Sequence, residues 1–286
     1  MKPAVLVTGA DGFIGSQLAP VLKSRGYAVR SHTLNDGDIA TGELPCEGVR
    51  HVFHLAARSF VPDSWADPRD FYRVNVVGTV NVLESCRRSG ASLTYISSYV
   101  YGRPSAQPLA EDHPTEALNP YAHSKLLAEE ACRFYARQHG MRISIVRPFN
   151  IYGFGQDRRF LIPTLVRQVL SADSDVIEVA DDRPRRDFLY VTDLVGLLIA
   201  TLERNGAGVY NAGSGFSVSI ADLAATLNRL ASHPKTVVSR GESRPHEILD
   251  VVADISKARR ELLWAPEVGL EEGLRITLET TAKCGY

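Results

Sequence analysis

Nowhere in the 286 residues is there a run of the ~18 consecutive apolar residues that a membrane-spanning helix requires. The opening MKPAVLVTGADG meets glycine and aspartate too soon for the apolar stretch of a signal peptide, so a cytoplasmic protein with no membrane partner is expected. An excess of charge of one sign is also missing. The 32 Lys+Arg and 33 Asp+Glu leave a formal net charge of −1, scattered along the chain, without the basic footprint that nucleic acid or an anionic bilayer selects. Cysteine is scarce: Cys46, Cys86, Cys132 and Cys284 lie far apart and form no CxxC pair, so they are read as reduced and structural, and no metal site is assigned. Repeats and low-complexity linkers are absent too. Apolar residues, by contrast, make up 44% of the chain, enough for one large domain or for a large and a small one.

Those apolar residues are organised. AVLVT (4–8) is a short run with β-branched residues, followed by a glycine-rich turn and then FIGSQLAPVLKSRG with helical spacing. YAVRSHT, VRHVFHLAA (49–57), SLTYISS (92–98) and MRISIVRP read as further strands. YRVNVVGTVNVLESCRRSG and PYAHSKLLAEEACRFYARQHG read as long helices, about 72–89 and 121–139. Strands alternating with helices indicate an α/β fold, a doubly wound parallel sheet of the Rossmann type, with ligands expected at the carboxyl ends of its strands. After residue 150 the pattern is less regular, with a helix near 162–172, an amphipathic helix at 191–206 and a strand at GVYNAG. The expected division is a dinucleotide-binding domain from 1–150 plus about 187–212, and a smaller α/β C-terminal substrate domain from 151–186 plus 213–286. Leu262 and Trp264 read as core of that smaller domain.

The first turn, TGADGFIGSQL, spaces Gly9, Gly12 and Gly15 as GxxGxxG, with Asp11, Phe13 and Ile14 between them. Gly9 suits a tight turn, Gly12 the close approach of a pyrophosphate, and Gly15 close helix–strand packing, while the helix start offers unpaired N–H groups to phosphate. Position after a strand and at the head of a helix makes this a dinucleotide site. An acidic residue that would hold a ribose is missing from the end of the second strand, where Thr33 stands with Arg30 and His32 nearby. Without that carboxylate, NADP is favoured, and NAD held with the help of Asp36 is the alternative.

In NPYAHSK (119–125), Tyr121 and Lys125 stand four apart and share a helix face, where a cation favours phenolate over phenol. On its own such a pair is more often an ordinary helix start. Read together, TGADGFIG, HLAA (54–57), ISSYVYG (96–102), PYAHSK and RPFNIYGFGQ (147–156) resemble the extended short-chain dehydrogenase/reductases, and among them the nucleotide-sugar epimerases, dehydratases and reductases. The resemblance runs from about residue 4 to 273 and takes in RRDFLYVTDL, VYNAGSG, SRPHE and DISKARRELLWAP in the family's order; residues 54–84 also look like enzymes acting on GDP-4-keto-6-deoxymannose.

The resemblance implies that Tyr121 is the proton donor or acceptor, that Lys125 supports it, and that Ser97, five residues before Gly102, is the third member, with Ser98 as the neighbour it is most easily confused with. It further implies cofactor contacts from Asp38, Ile39, Leu55, Ala56, Ala57, Asn75 and Pro148, and a structural role for His54. Substrate contacts fall to Ser98, Tyr99, Asn150 and two diphosphate-binding arginines, Arg186 and Arg244. Asn75 and the two long helices suit either a homodimer interface or ordinary core. Dehydratases place a carboxylate, and fucose synthase-like enzymes a cysteine, where this chain has Ser98 and Tyr99. What remains is chemistry at one carbinol carbon, C4: reduction of a nucleoside-diphosphate 4-keto-6-deoxyhexose first, 4-epimerisation with retained NAD second. A non-catalytic NADP-binding regulator, which would usually lose the tyrosine or the lysine, comes last.

Overall fold

The structure, a computed structural model, describes residues 3–104, 106–243 and 247–284. The chain runs β1 (Ala4–Thr8), α1 (Phe13–Ser24), β2 (Ala28–His32), β3 (Val49–His54), α2 (Val61–Ala66), α3 (Pro68–Tyr72), a π-helical turn at Arg73–Val77, α4 (Gly78–Ser89), β4 (Ser92–Ile96), α5 (Pro120–His139) and β5 (Ile143–Pro148). It continues through β6 (Asn150–Tyr152), α6 (Leu161–Leu170), β7 (Val176–Val179), β8 (Arg185–Arg186), β9 (Phe188–Tyr190), α7 (Val191–Glu203) and β10 (Gly208–Ala212). β11 (Val218–Ser219), α8 (Ile220–Leu230), β12 (Thr236–Ser239), α9 (Ser256–Leu262) and α10 (Leu270–Cys284) complete it.

Six strands form one parallel sheet in the order β10-β5-β4-β3-β1-β2. A parallel sheet is covered on both faces, and its central strands β4 and β5 are buried from end to end. Leu18 and Leu22 of α1 and Leu194, Leu197 and Leu198 of α7 cover one face. Val82, Leu83 and Cys86 of α4, with Ala128 and Cys132 of α5, cover the other. This is the doubly wound arrangement expected from the strand–helix alternation. A third core gathers Tyr152, Leu165, Ile177, Leu223 and Leu274 around the short strands beyond β5. No helix among the described residues is long and apolar enough to cross a membrane.

Two expectations change. The segment read as one helix from residue 72 to 89 is interrupted: α3 passes through the π-helical turn at Arg73–Val77 before α4 begins. RVNVVG keeps helical periodicity, so the wider turn leaves no mark in the pattern. Leu262 and Trp264 belong to the core beneath α7 and the large sheet, not to the smaller core. The reason is that α9 returns to pack on α7 and β10, and the Trp264 indole N–H donates to the Asp193 carbonyl at 2.9 Å.

Candidate active site

The carboxyl end of β1 opens directly into the glycine turn. Gly9 has φ +65°, and a Cβ there would come within 2.9 Å of the Ala56 backbone; one on Gly15 would stand 2.2 Å from the Gly9 carbonyl. These positions therefore admit only glycine if the turn is to stay closed against residues 55–57. Gly12 is the N-cap of α1 and supplies no side-chain cap, so the first N–H groups of the helix keep their capacity for an anion. Asp11 is exposed beside it, and Phe13 and Ile14 are partly buried.

Behind the turn lies a chain of hydrogen bonds that sequence reading missed. The Thr8 hydroxyl accepts from the Leu55 and Ala56 N–H groups, both at 3.2 Å, so its own proton goes to His54 Nδ1 at 2.8 Å. His54 Nε2–H then donates to Thr79 Oγ1 at 3.0 Å, and Thr79 Oγ1–H to the Asn75 carbonyl at 2.6 Å. Burial, with Lys125 nearby, pulls the His54 pKa down to about 3, so the ring is neutral and structural. The Asn75 amide is equally committed. It donates to the Arg58 carbonyl and Ser124 Oγ and accepts from the Arg58 N–H, which fixes the strand-to-helix connection from within and leaves the residue 1% exposed. An outward, interface-forming Asn75 is thereby replaced by an internal brace.

At the end of β2 the basic groups are already engaged. Arg30 donates to the carbonyls of Pro45 and Glu47, and His32 Nε2 bonds the Gly37 carbonyl at 3.0 Å. The Asp36 carboxylate accepts from both the N–H and the hydroxyl of Thr33 at 2.8 Å, which holds its pKa below the usual carboxylate range. Asp38 caps Ala40 and pairs with Arg73, while Ile39 packs on Gly78. Pro148, the last residue of β5, is buried beside β10, and Ala57 follows β3 on the same edge of the sheet.

Tyr121 and Lys125 sit on α5 because of how that helix starts. Asn119 Oδ1 accepts from the Ala122 N–H at 2.8 Å and Pro120 takes the first helical position, two signals that place Tyr121 in the first turn. The Tyr121 ring packs edge-on against Phe71, with centroids 6.2 Å apart. Lys125 is 3% exposed, with Nζ 4.6 Å from the centre of the Tyr95 ring, and burial pulls its pKa down to about 7. Burial likewise pushes the Tyr121 phenol up, and the group opposing it is Ser98. Ser98 is thus a polar neighbour of the phenol in addition to the support expected from Lys125.

Ser97 faces elsewhere. It is 1% exposed, and its Oγ is buried without a hydrogen-bond partner at normal distance among the described residues. Beneath the pair lies a buried ion pair that was also missed. Arg147 of β5 donates to Glu129 Oε1 at 2.9 Å and to Oε2 at 2.7 Å, with both side chains essentially inaccessible, and Arg133 adds a third bond. Burial would raise the Glu129 pKa, but the bonds from Arg147 outweigh it and hold the carboxylate ionised. Glu129 falls four residues after Lys125 on the same face, but its partner comes from β5, 18 residues on.

Among the residues expected to meet substrate, the Tyr99 hydroxyl donates to the Gly102 carbonyl at 2.8 Å and its ring stacks edge-on with Tyr101 and Phe149. Burial pushes its pKa up and the Arg186 charge opposes this, so the two side chains share one region. Arg186 donates to the Ile248 carbonyl at 2.7 Å and pairs with Glu247. Asn150 Nδ2 donates to the Asp187 carbonyl at 3.1 Å, and the Asp187 carboxylate collects the N–H groups of Ser214, Gly215 and Ala253. Arg244 lies outside the described residues.

Fold and site together define a dinucleotide-binding α/β enzyme with a tyrosine–lysine pair at the carboxyl end of its sheet. The chain belongs to the NAD dependent epimerase/dehydratase family, whose sequence model matches residues 5–213. It is 31% identical to the GDP-6-deoxy-D-mannose reductase of Pseudomonas aeruginosa over 97% of each chain. To a UDP-glucose 4-epimerase of Azospirillum brasilense it is 30% identical, over 96% of this chain and 90% of that one. Among solved structures, RMD from Pseudomonas aeruginosa complexed with NADPH superposes with a TM-score of 0.90 at 30% identity, covering 99% of both chains.

Proposed function

We propose that this protein reduces C4 of a nucleoside-diphosphate 4-keto-6-deoxyhexose with NADPH. The observation that carries the direction is where Tyr121 lies: in the first turn of α5 and only partly buried, it is placed to give its proton to a ketone oxygen, which is what reduction requires. The observation that confines the chemistry to one carbon is Tyr99. Its hydroxyl is committed to the Gly102 carbonyl, so the position that would hold a second acid or base offers none. The likeness to GDP-6-deoxy-D-mannose reductase over nearly the whole of both chains supports the same reading.

The Gly9–Gly15 cradle fits a nicotinamide dinucleotide, because the space a Cβ would fill is closed by backbone and the α1 N-terminus lacks a side-chain cap. When bound, that group supplies a hydride. Gly12 and the head of α1 would meet its pyrophosphate, Leu55–Ala57 and Pro148 would wall it in, and Lys125 would bind its ribose and lend positive charge. Tyr121 delivers its proton to the sugar oxygen. Asn150, Tyr99 and Arg186 would hold the sugar nucleotide, Arg186 exchanging Glu247 for diphosphate. Four free cysteines fit a reducing compartment such as the cytoplasm.

One observation favours a 4-epimerase using NAD. The Asp36 carboxylate is bound to Thr33, at the end of β2, where a ribose-binding acid would stand, and Arg30 and His32 are occupied elsewhere. Purified protein offered GDP-, dTDP- and UDP-4-keto-6-deoxyhexoses with NADPH should consume cofactor stoichiometrically. Interconversion of UDP-glucose and UDP-galactose by protein purified with NAD⁺, with no net cofactor change, would replace the first reading by the second.

A homodimer through the outer faces of α4 and α5 completes the proposal. Val77 at the head of α4 is 48% exposed, and Leu127 and Phe134 on α5 are 42% and 49% exposed. Light scattering should give twice the 31.4 kDa chain mass. A Leu127→Glu/Phe134→Glu variant should run as a monomer, and a monomeric parent protein would refute the interface.

A further inference from the structure

We infer that Asp187 is a positioning residue for the sugar nucleotide: its buried carboxylate and its carbonyl join the elements that carry Asn150 and Arg186 to the end of the large sheet. This rests on the reading of those two residues as substrate contacts, whereas the joint itself is drawn from bonds within the fold. Asp187 stands between β8 and β9 and is 0% exposed. Its Oδ1 accepts from the Ser214 N–H at 2.6 Å and from the Ser214 hydroxyl at 2.7 Å. Its Oδ2 accepts from the Gly215 N–H at 3.1 Å and from the Ala253 N–H at 3.0 Å. Its carbonyl accepts from both the N–H and the Nδ2 of Asn150, each at 3.1 Å. One residue thus gathers three segments remote in sequence: the head of β6, the turn after β10 and the stretch leading to α9.

Each of those segments seats a substrate residue. Asn150 follows Phe149, whose N–H donates to the carbonyl of Ala212, the last residue of β10, at 2.9 Å. Arg186 pairs with Val218 of β11, and its guanidinium donates to the Ile248 carbonyl at 2.7 Å. The Arg185 N–H donates to the Leu249 carbonyl, also at 2.7 Å. Ile248 and Leu249 belong to the stretch whose Ala253 N–H the carboxylate holds, so one side chain sets the seats of both Asn150 and Arg186. The donor set asks for a carboxylate. Each of its oxygens faces a backbone N–H, so an asparagine turned either way points its NH2 at one of them. Burial pushes the Asp187 pKa up, and the bonds from Ser214, Ala253 and Gly215 oppose this. The space around the joint is also closed: a Cβ on Gly213 would stand 2.5 Å from the Ala253 Cβ and 2.6 Å from Asp187 Oδ2. Substrate residues held in place before the ligand arrives need no ordering on binding, and that saving appears in affinity.

Asp187→Asn, Gly213→Ala and Ser214→Ala in the full-length protein test this. Each is measured for KM and kcat with the 4-keto sugar nucleotide that the parent reduces, for NADPH affinity by fluorescence titration, and for thermal unfolding. Asp187→Asn should raise KM for the sugar nucleotide roughly 10- to 100-fold. NADPH affinity should stay within about twofold, because the glycine cradle and Tyr121 stand on other elements. Gly213→Ala should move KM the same way, since it crowds the same oxygen from the opposite side. Ser214→Ala takes one of the bonds and leaves the charge, so KM should rise about threefold, and Ser214→Thr, which keeps the hydroxyl, should restore it. The serine variants decide the matter if the two severer ones do not fold. A role in stability alone would lower Tm and leave KM where it was, and that result overturns the inference. So does a loss of NADPH affinity as large as the rise in KM. If the parent reduces none of the keto sugars, the C4 reading fails, and calorimetric binding of GDP, dTDP, UDP and UDP-glucose to parent and variants carries the same comparison. A parent that binds none of these overturns both.

Discussion

Replacing Tyr121 by phenylalanine should lower kcat by about 10²–10⁴ while the folded structure and cofactor affinity remain. The substitution removes one oxygen and keeps the ring that packs edge-on against Phe71, so the first turn of α5, fixed by Asn119 and Pro120, has no reason to move. What disappears is the phenol that shares a helix face with Lys125, whose ammonium lies over the buried Tyr95 ring and whose pKa burial pulls down to about 7. Lys125 cannot take over the proton transfer from that position, because Nζ is turned toward the sheet face. Cofactor affinity measured by fluorescence titration, thermal unfolding and steady-state rates separate the possibilities. A variant turning over within a factor of two of the parent would remove Tyr121 from the mechanism, and one that also loses cofactor affinity would mark it as a binding residue instead.

A comparably large effect, on stability, is expected at Glu129. Glu129→Ala leaves the Arg147 guanidinium buried with no counter-charge, a change that costs about 3–5 kcal/mol. For a chain of this size that corresponds to a fall in Tm of roughly 10 °C. Removing both charges is a different matter: Glu129→Met/Arg147→Met takes away the uncompensated ion and should recover most of the loss. The pH dependence has a definite sign. The folded-state pKa of Glu129 lies below its unfolded value, so its contribution is complete above the unfolded pKa and fades as acid carries the pH down through the folded one. Calorimetry at neutral and acid pH would show the gap between parent and Glu129→Ala closing toward low pH. A Tm within 2 °C of the parent at pH 7 would refute the role given to this pair.

The parts of the fold and site that could be read from the chain are those with local causes. GxxGxxG after an apolar run forces a turn that backbone atoms alone can close, and the Gly9 and Gly15 contacts arise from those few residues. Asn119-Pro120 announces a helix start, which then puts Tyr121 and Lys125 on one face. What escaped depended on phase or on distance. Ser97 and Ser98 differ only in which is still held in the sheet, and that is set by pairing with Val146, far along the chain. Glu129 looks like a solvated charge until β5 supplies Arg147. Trp264 is attached to α7 through the Asp193 carbonyl, a contact no periodicity could suggest. Asp36 fell a few residues late by counting, but the Thr33 turn brings its carboxylate back to the strand end.

The strand order has a consequence for how the chain must be made. β10 completes the large sheet by pairing with Ser144–Pro148 of β5, yet residues 149–207, with the β6–β9 pair and α7, are synthesised between them. During translation β5 therefore waits as an open edge of buried, apolar character until residue 212 has left the ribosome, and such an edge invites pairing with other chains. A fragment ending at Pro148 would carry five of the six strands and the glycine cradle, but it would expose that edge permanently. The cofactor-binding half of this protein is thus not a detachable module. Its solubility depends on a strand delivered late, and truncation or circular permutation between β5 and β10 should yield aggregates rather than a small binding domain.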